Sequence, residues 1–400
     1  MEIRTLTSEE ERTAFGKITL YAFGPQRNSY KELFFPTKDM PNEWLYGAFE
    51  NGTMMSTTIL YPFEIKIRNK WFNMGGIGAV ATKPEFRNRG IVRSIFQKLF
   101  SDMRESEVPI SVLYPFKYSY YEQFGYRLAH EDVVYQFETA DIKTKPVDNR
   151  YIREVESITD DIKSVYSQAT IQYNHIIKRA DWWWKTKEEE NFKYVCYDDR
   201  DQPVGYLRMY FLKDPTPEWD TIKREYYSTF VLLECFWLDK SAKQAILNFL
   251  WKHRDQRKYV ALVQPVDEPF TEMLTEPNHV LGRTVRPRSM ARVVNVKALL
   301  EALEYPVKDF TVTLRIYDEL CPWNDRTFGL SVNGPQVRVE ERTVDKPDLE
   351  ADIGAFTQLV VGFRTIKELL YLEYVNVDES KVDLFDALFP KCTNFLRDYF

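Results

Sequence analysis

One stretch restricts the fold more than any other: "GGIGAVATKPEFRNRGIVRSIFQKLF", residues 75–100. Its first part, "GGIGAVAT", is a short apolar run that reads as a buried strand. Lys83-Pro84 then breaks the chain, because the residue before a proline is driven out of the helical region. From Gly90 the apolar residues fall at Ile91, Val92, Ile95, Phe96, Leu99, Phe100 and Met103, the spacing of a helix with one buried face. "VPISVLY" follows as another strand. Strand, turn, long apolar helix and strand in quick succession place the chain in the α/β (α+β) class.

The surroundings extend this grammar. "EIRTL" reads as a strand, and Ser8 with Glu11 fits a capping box opening a helix to about Phe23. Asn51-Gly52 is a strong hairpin signal. Phe63, Ile65 and Ile67 alternate, with a turn near Asn69. "KYSYYEQFGYRLA" reads as a short helix ended by Gly125, then a strand. Residues 1 to about 140 therefore run β-α-βββ-α-β-α-β.

Residues 150–285 repeat the pattern in altered detail. "IREVESITDDIKSVYSQA" reads as a helix. "YVCYDD" and "PVGYLRMYF" read as strands flanking a turn at Asp198–Gln202. "VLLECFWLD", "KSAKQAILNFLWKHRDQ" and "YVALVQP" read as strand, helix and strand. This last set aligns with the opening stretch as a diverged internal repeat, without its glycine and arginines. From Met290, "ARVVNVKALLEAL" enters a helix, several strands follow, and a small α+β domain runs to the last residue. The expected division is 1–145, 146–288 and 289–400. The sequence has no Ser/Gly linker, so the domains are expected to pack rather than swing.

Composition excludes some classes of function. Of 400 residues, 54 are Lys or Arg and 60 are Asp or Glu, a net charge of −6. Nothing there pulls the chain toward nucleic acid or an anionic membrane. Cys196, Cys235, Cys321 and Cys392 lie far apart, and so do His130, His175, His253 and His279. No ligand spacing for a metal arises, and reduced thiols are the simpler reading. No apolar run reaches the ~20 residues of a membrane span. The charged start "MEIRTLTSEEE" is no secretory leader, and a cytoplasmic protein is expected.

Gly76-Ile77-Gly78-Ala79-Val80-Ala81 satisfies G-x-G-x-x-[GA], yet no helix opens after it, so a dinucleotide fingerprint is rejected. A Walker loop is absent. A pyrophosphate turn fits better. Arg87-Asn88-Arg89-Gly90 leads into a helix whose first N–H groups and dipole favour an anion. Gly90 lets the backbone approach without a Cβ. A basic, solvated helix start with no ligand is the competing reading of the same residues.

The stretch "VATKPEFRNRGIVRSIF" resembles the acetyl-CoA signature of the GNAT superfamily of N-acetyltransferases, R-x-x-G-x-[GA]. Val92 replaces the small last residue. That departure resembles the Eis-like (enhanced intracellular survival) subfamily, with R-x-R-G-[IL]-[LV]-R. "LYPFKYSYYEQFGYRLAHE", "MARVVNVKALLEAL" and the closing "LFPKCTNFLRDYF" are similar to that subfamily too, so the likeness spans all three blocks.

The resemblance implies two tandem GNAT-like domains, the second lacking the cofactor loop. A small sterol-carrier-like domain would follow, in a homo-hexamer. It implies acetyl-CoA as cofactor, a small-molecule amine as partner, and no nucleic acid or membrane. By position, Val80, Ala81 and Thr82 would hold the pantetheine arm. Arg87, Asn88, Arg89, Gly90, Ile91, Val92 and Arg93 would hold the pyrophosphate, with Phe116 and Lys117 as further contacts. Tyr121 matches the catalytic tyrosine and the Phe400 carboxylate the general base. Tyr399 stands where better-known members carry an acidic residue.

These residue types suit acetyl transfer to an amine. Alkylamines have pKa values near ~10, so a base must take a proton. A partly desolvated chain-terminal carboxylate, raised from ~3.5, can do so. Backbone N–H groups near Val80 could stabilise an oxyanion. A leaving thiolate of pKa ~8.5 is matched by a tyrosine near ~10. Tyr114, Tyr118, Tyr120 and Tyr126 are rivals to Tyr121 in the same stretch.

The expected acceptor is an aminoglycoside-like polycation or a lysine. A non-catalytic ligand- or lipid-binding protein built on degenerate acetyltransferase domains is the alternative, and a protein-lysine acetyltransferase a third. Trp182-Trp183-Trp184 reads as inter-domain core, and the acidic runs Glu9–Glu11 and Glu188–Glu190 as solvated faces.

Overall fold

The computed structural model describes residues 1–23, 40–188, 191–212, 229–280 and 282–400. Glu189 and Glu190 of the second acidic run lie outside the described residues. The chain divides into two compact units: residues 1–129, 288–392 and 398–400 in the first, and residues 130–287 and 393–397 in the second.

The first unit opens with β1 (Glu2–Thr5), α1 (Glu9–Phe23), β2 (Leu45–Glu50), β3 (Thr53–Ile67) and β4 (Lys70–Thr82). It continues through α2 (Ile91–Glu105), β5 (Ile110–Leu113), α3 (Tyr118–Glu122) and β6 (Arg127–Leu128). Asn51 and Gly52 both take positive φ, 49° and 75°, as a tight hairpin between β2 and β3 requires. Ser8 accepts the Glu11 N–H at 3.3 Å, but the Glu11 carboxylate turns to Arg4 and the Thr7 N–H, leaving the expected box half formed. In its first sheet the parallel pair β4 with β5 is bridged by α2. That helix buries Ile91, Ile95, Phe96, Leu99, Phe100 and Met103, six of the seven residues its spacing singled out. They pack on Ile77 and Leu113 of those two strands.

The second unit contains β7 (Glu131–Glu138), β8 (Tyr151–Val155), α4 (Asp160–Thr170), β9 (Ile177–Lys178), α5 (Asp181–Lys185) and β10 (Phe192–Tyr197). Then come β11 (Pro203–Phe211), β12 (Thr229–Trp237), α6 (Lys240–Trp251), β13 (Tyr259–Pro265) and β14 (Gly282–Pro287). Its sheet runs β14-β7-β13-β12-β11-β10-β8, again with a single parallel pair, β12 with β13, bridged by a helix. The expected helix over residues 152–169 is corrected. Its first four residues lie in β8, paired with β10, and the helix starts only after Thr159, whose side chain caps the Ile162 N–H. Ladder pairing overrides local propensity there. Trp183 and Trp184 are buried, and Trp184 belongs to the core under α4.

His175 is wholly buried in this unit, and burial pushes its imidazole down to about 3. The unfolded chain takes up that proton near 6.5, so the stabilisation is complete above that pH. It drains away as pH falls from 6.5 toward about 3. At ~1.4 kcal/mol per pH unit the whole effect is on the order of 5 kcal/mol. Urea titrations should show the wild type losing stability relative to His175→Gln as pH falls through that window.

The remaining elements are β15 (Met290–Val293), α7 (Val296–Ala302), β16 (Phe310–Tyr317), β17 (Thr327–Asn333), β18 (Gln336–Glu341) and β19 (Leu349–Asp352). α8 (Ile353–Val360), α9 (Ile366–Tyr371), β20 (Val375–Val377) and α10 (Val382–Leu388) complete the chain. Strands β16–β20 form their own sheet, ordered β18-β17-β16-β19-β20. The expected helix entry at Met290 is also corrected: β15 inserts between β5 and β6, giving the first sheet the order β1-β2-β3-β4-β5-β15-β6. The helix begins after Asn295, whose side chain caps it. Arg292 on β15 is buried and bidentate with Asp318 at 2.7 and 2.6 Å, tying that strand to the C-terminal sheet's own loop. No described helix is long and apolar enough to cross a membrane.

Candidate active site

The site is built where β4 changes its pairing. β4 and β5 stay in register only as far as Ile77 opposite Leu113. On its other edge β4 pairs Gly78 with Ile59 and Ala81 with Thr57, so Ala79 and Val80 together oppose Thr58. Ala79 sits in the left-handed region at φ 51°. This is a β-bulge, and bulges bend a strand and re-aim its backbone groups. Val80 and Ala81 follow the bulge, and Thr82 ends the strand beside Ser56.

The turn after β4 sets up the start of α2. Pro84–Phe86 make a single helical turn, and the Arg87 Nε donates to the Thr82 carbonyl at 3.2 Å. Arg89 donates to the Glu85 carbonyl at 3.2 Å and lies over the Phe86 ring. Asn88 and Gly90 are both left-handed, at φ 61° and 72°. Gly90 caps α2 without any side-chain hydrogen bond. A Cβ there would meet nothing within 4 Å, so the space in front of the helix start is open. Ile91 is buried, and Val92 packs against the core. The β-branched side chain of Val92 is thus directed into the protein, not across the helix start. Arg93 is paired with Glu319 at 3.3 Å. An open, uncapped, arginine-flanked helix start fits a diphosphate.

Two glycines receive the last residue. A Cβ on Gly76 would lie 2.9 Å from the Phe400 ring, and one on Gly78 would lie 3.4 Å from the Phe400 carboxyl carbon. Glycine within a strand marks a place where another group comes close, and here that group is Phe400. Its ring packs on Phe63 at 4.9 Å, Tyr61 at 5.8 Å and Tyr114 at 5.6 Å. Sequence reasoning named Phe400 and missed Gly76, Gly78, Tyr61 and Phe63 as its seat. The signal was present in "GGIG", which it weighed only as a failed dinucleotide motif.

Tyr121 lies on α3, buried among Phe96, Phe116, Tyr120 and Tyr126. Burial raises its hydroxyl well above 10.0, with smaller contributions from Tyr120 and Tyr399. The rivals differ. Tyr126 shares a hydrogen bond with Ser111 at 2.7 Å, and Tyr118 donates to the Arg288 carbonyl at 3.0 Å. Tyr114 packs under Tyr399 and Phe400, and Tyr120 is half-buried beside Tyr121. Phe116 is 68% exposed, and Lys117 opens α3 in an extended conformation.

The second unit repeats the frame and closes it. β12 also bulges, with Leu233 extra between pairs 208–234 and 209–232. Its helix start is occupied: Asp239 caps the Ala242 N–H at 2.7 Å. Phe395 packs on the α4 side of this sheet, and Arg397 donates to the Leu233 carbonyl at the bulge.

Residues 2–129 match the model of an acetyltransferase (GNAT) domain, residues 176–293 match a second, and residues 296–397 match a sterol carrier protein domain. An uncharacterized N-acetyltransferase of Streptomyces coelicolor is 23% identical over 379 residues, covering 88% of each chain. A probable N-acyltransferase of Enterococcus faecalis has the same fold, with TM-score 0.85, 22% identity and coverage of 100% of this chain and 99% of that one. Eis1 from Mycobacterium abscessus superposes with TM-score 0.80 at 21% identity, covering 100% of both chains.

Proposed function

For a chain that is an acyltransferase of the GNAT superfamily, with two acetyltransferase domains ahead of a sterol carrier domain, we propose direct transfer of an acetyl group from acetyl-CoA to a primary amine. Tyr121 serves as general acid and the Phe400 carboxylate as general base. The observation that carries this reading is the seat of Phe400 on Gly76 and Gly78, beside the bulge of β4.

Acetyl-CoA, when bound, supplies an acetyl group activated as a thioester. Val80, Ala81 and Thr82 would hold its pantetheine arm by backbone groups. Arg87, Asn88, Arg89, Gly90, Ile91, Val92 and Arg93 would hold its diphosphate, and Phe116 and Lys117 would flank it. The Phe400 carboxylate takes a proton from the acceptor ammonium. The freed nitrogen forms the new C–N bond while the C–S bond breaks, and Tyr121 gives its proton to the departing sulfur. Burial keeps Tyr121 protonated until that moment, and the same dry surroundings raise the basicity of the sulfur that receives the proton. The surplus proton on the acylated nitrogen passes through water to the Tyr121 oxygen, and the Phe400 carboxyl group returns its proton to solvent.

An aminoglycoside-like polycation or a lysine is the acceptor carried from the resemblance, together with a hexameric assembly and a cytoplasmic location. Thiol release from acetyl-CoA over an amine panel tests the reading. Absence of turnover with every amine, and of acetyl-CoA binding by calorimetry, defeats it. Gly90→Ala gives a narrower test. The left-handed φ of 72° makes alanine cost ~1 kcal/mol there without a clash. The KM for acetyl-CoA should rise about tenfold with kcat nearly kept, since the loss is in binding.

A further inference from the structure

The end of the chain is divided between the two units. Thr393–Arg397 belong to the second and Asp398–Phe400 to the first. Within the second unit the tail is held at every residue. The Asn174 N–H donates to the Thr393 carbonyl at 2.8 Å, and the Asn174 carbonyl accepts the Phe395 N–H at 2.9 Å, as in a parallel bridge. The Asn174 side-chain amide donates to the Asn394 side chain at 3.0 Å, and both residues are buried. The Leu396 N–H donates to the His130 Nε2 at 3.3 Å.

This segment lies where the frame of the second unit opens. β12 parts from β13 after Leu232, as β4 parts from β5 after Ile77. In the first unit that parting precedes Val80, Ala81 and Thr82, the residues assigned to the pantetheine arm. In the second unit Phe395 is 2% exposed and shares one core cluster with Val231, Ala261 and Val263 of the two parting strands. Leu233 is the extra residue of the β12 bulge, and an extra residue is left out of the ladder. Its carbonyl needs a donor, and the Arg397 guanidinium supplies one. The same guanidinium lies 3.9 Å from the buried Asp132 carboxylate.

We propose that the second unit is a peptide-binding site whose ligand is the chain's own tail, with Asn174, Asn394, Phe395 and Arg397 as positioning residues for the terminus. Their catalytic consequence rests on the reading of the Phe400 carboxylate as general base. Beyond Arg397 only three residues remain, a span of at most ~11 Å. A tail pinned so near its end has lost most of its conformational freedom before any substrate arrives. A base held in one place then acts at high effective concentration. The second unit has thus exchanged a cofactor for a peptide. Asp239 occupies its helix start, and Phe395 and Arg397 fill the parting of its strands.

The test uses the full chain carrying Arg397→Ala, Asn394→Ala or Arg397→Lys. Carboxypeptidase A removes a terminal phenylalanine when the tail swings out of its seat. Release of Phe400 should be about tenfold faster in both alanine variants, the worth of one hydrogen bond in the population of the open tail. Their kcat should fall about tenfold with the calorimetric Kd for acetyl-CoA unchanged. Arg397→Lys keeps a donor for the Leu233 carbonyl and should recover most of both losses, which a general loss of structure would not allow. Release and kcat at wild-type values in both alanine variants overturn the proposal. Faster release with undiminished kcat upholds the anchoring and overturns the general-base reading.

Discussion

A chain extended by one glycine beyond Phe400 should bind acetyl-CoA with unchanged Kd and lose acyl transfer by about 10²- to 10⁴-fold, the worth of a placed proton acceptor. The ring of residue 400 can still dock on Phe63 and Tyr61, since those contacts do not involve the carboxyl group. The carboxylate cannot stay. An added residue moves the charge by ~3.5 Å and leaves a neutral peptide carbonyl beside Gly78. A carbonyl of that kind has no useful basicity. Calorimetry for acetyl-CoA and a thiol-release assay for turnover separate the two effects. Undiminished turnover in the extended chain would show that the proton goes elsewhere. Deleting Phe400 outright should be at least as damaging, because the ring that seats the terminus goes with it.

Tyr121→Phe should lower kcat by roughly 100-fold while the melting temperature and the acetyl-CoA KM barely move. Among the described residues the hydroxyl has no hydrogen-bond partner, so its removal leaves nothing buried and unsatisfied. The ring contacts with Phe96, Phe116, Tyr120 and Tyr126 survive the change. The pH profile carries the second half of the expectation. Burial holds the Tyr121 hydroxyl above its ordinary value of 10.0, so the proton is retained through the alkaline range. Wild-type kcat should therefore rise with pH as the acceptor amine loses its proton, and show no falling limb below about pH 10. A falling limb at lower pH would mean that a more acidic group donates the proton. The same substitution at Tyr118 or Tyr126 should behave differently, costing stability through Arg288 or Ser111 and not catalysis.

The parts of the fold that lie on strong periodicities were legible. The apolar spacing of residues 91–103 yields α2 with its buried face, and Asn51-Gly52 yields the hairpin. The second strand–helix–strand, β12-α6-β13, was visible from the repeat alone. What escaped were elements decided by partners remote in sequence. Residues 151–155 carry charges suited to a helix, yet they pair with residues 193–197. Residues 290–293 precede a helix and read as its beginning. Their place is a slot between β5 and β6, more than 150 residues earlier in the chain, which no local pattern encodes.

The site shows the same split. The turn at Arg87–Arg93 announces itself by glycine and charge. The seat of Phe400 is made of glycines and aromatics on β3 and β4, ordinary in a strand until the last residue is laid on them. The bulge at Ala79 has no glycine to signal it, because an alanine bears the left-handed φ.

Asp239 and Gly90 stand at corresponding helix starts, and their contrast says something about descent. A glycine start leaves its first N–H groups unsatisfied by side chains, and its helix is correspondingly less stable. An aspartate start satisfies one of them, adds ~1 kcal/mol and repels any phosphate. In a duplicated domain, then, the change that forfeits an anion also steadies the copy that suffers it. Selection for stability and release from ligand binding push the same way. Such a step behaves as a ratchet: the copy that has taken it is held there, and only its twin is left under pressure to keep the fragile start.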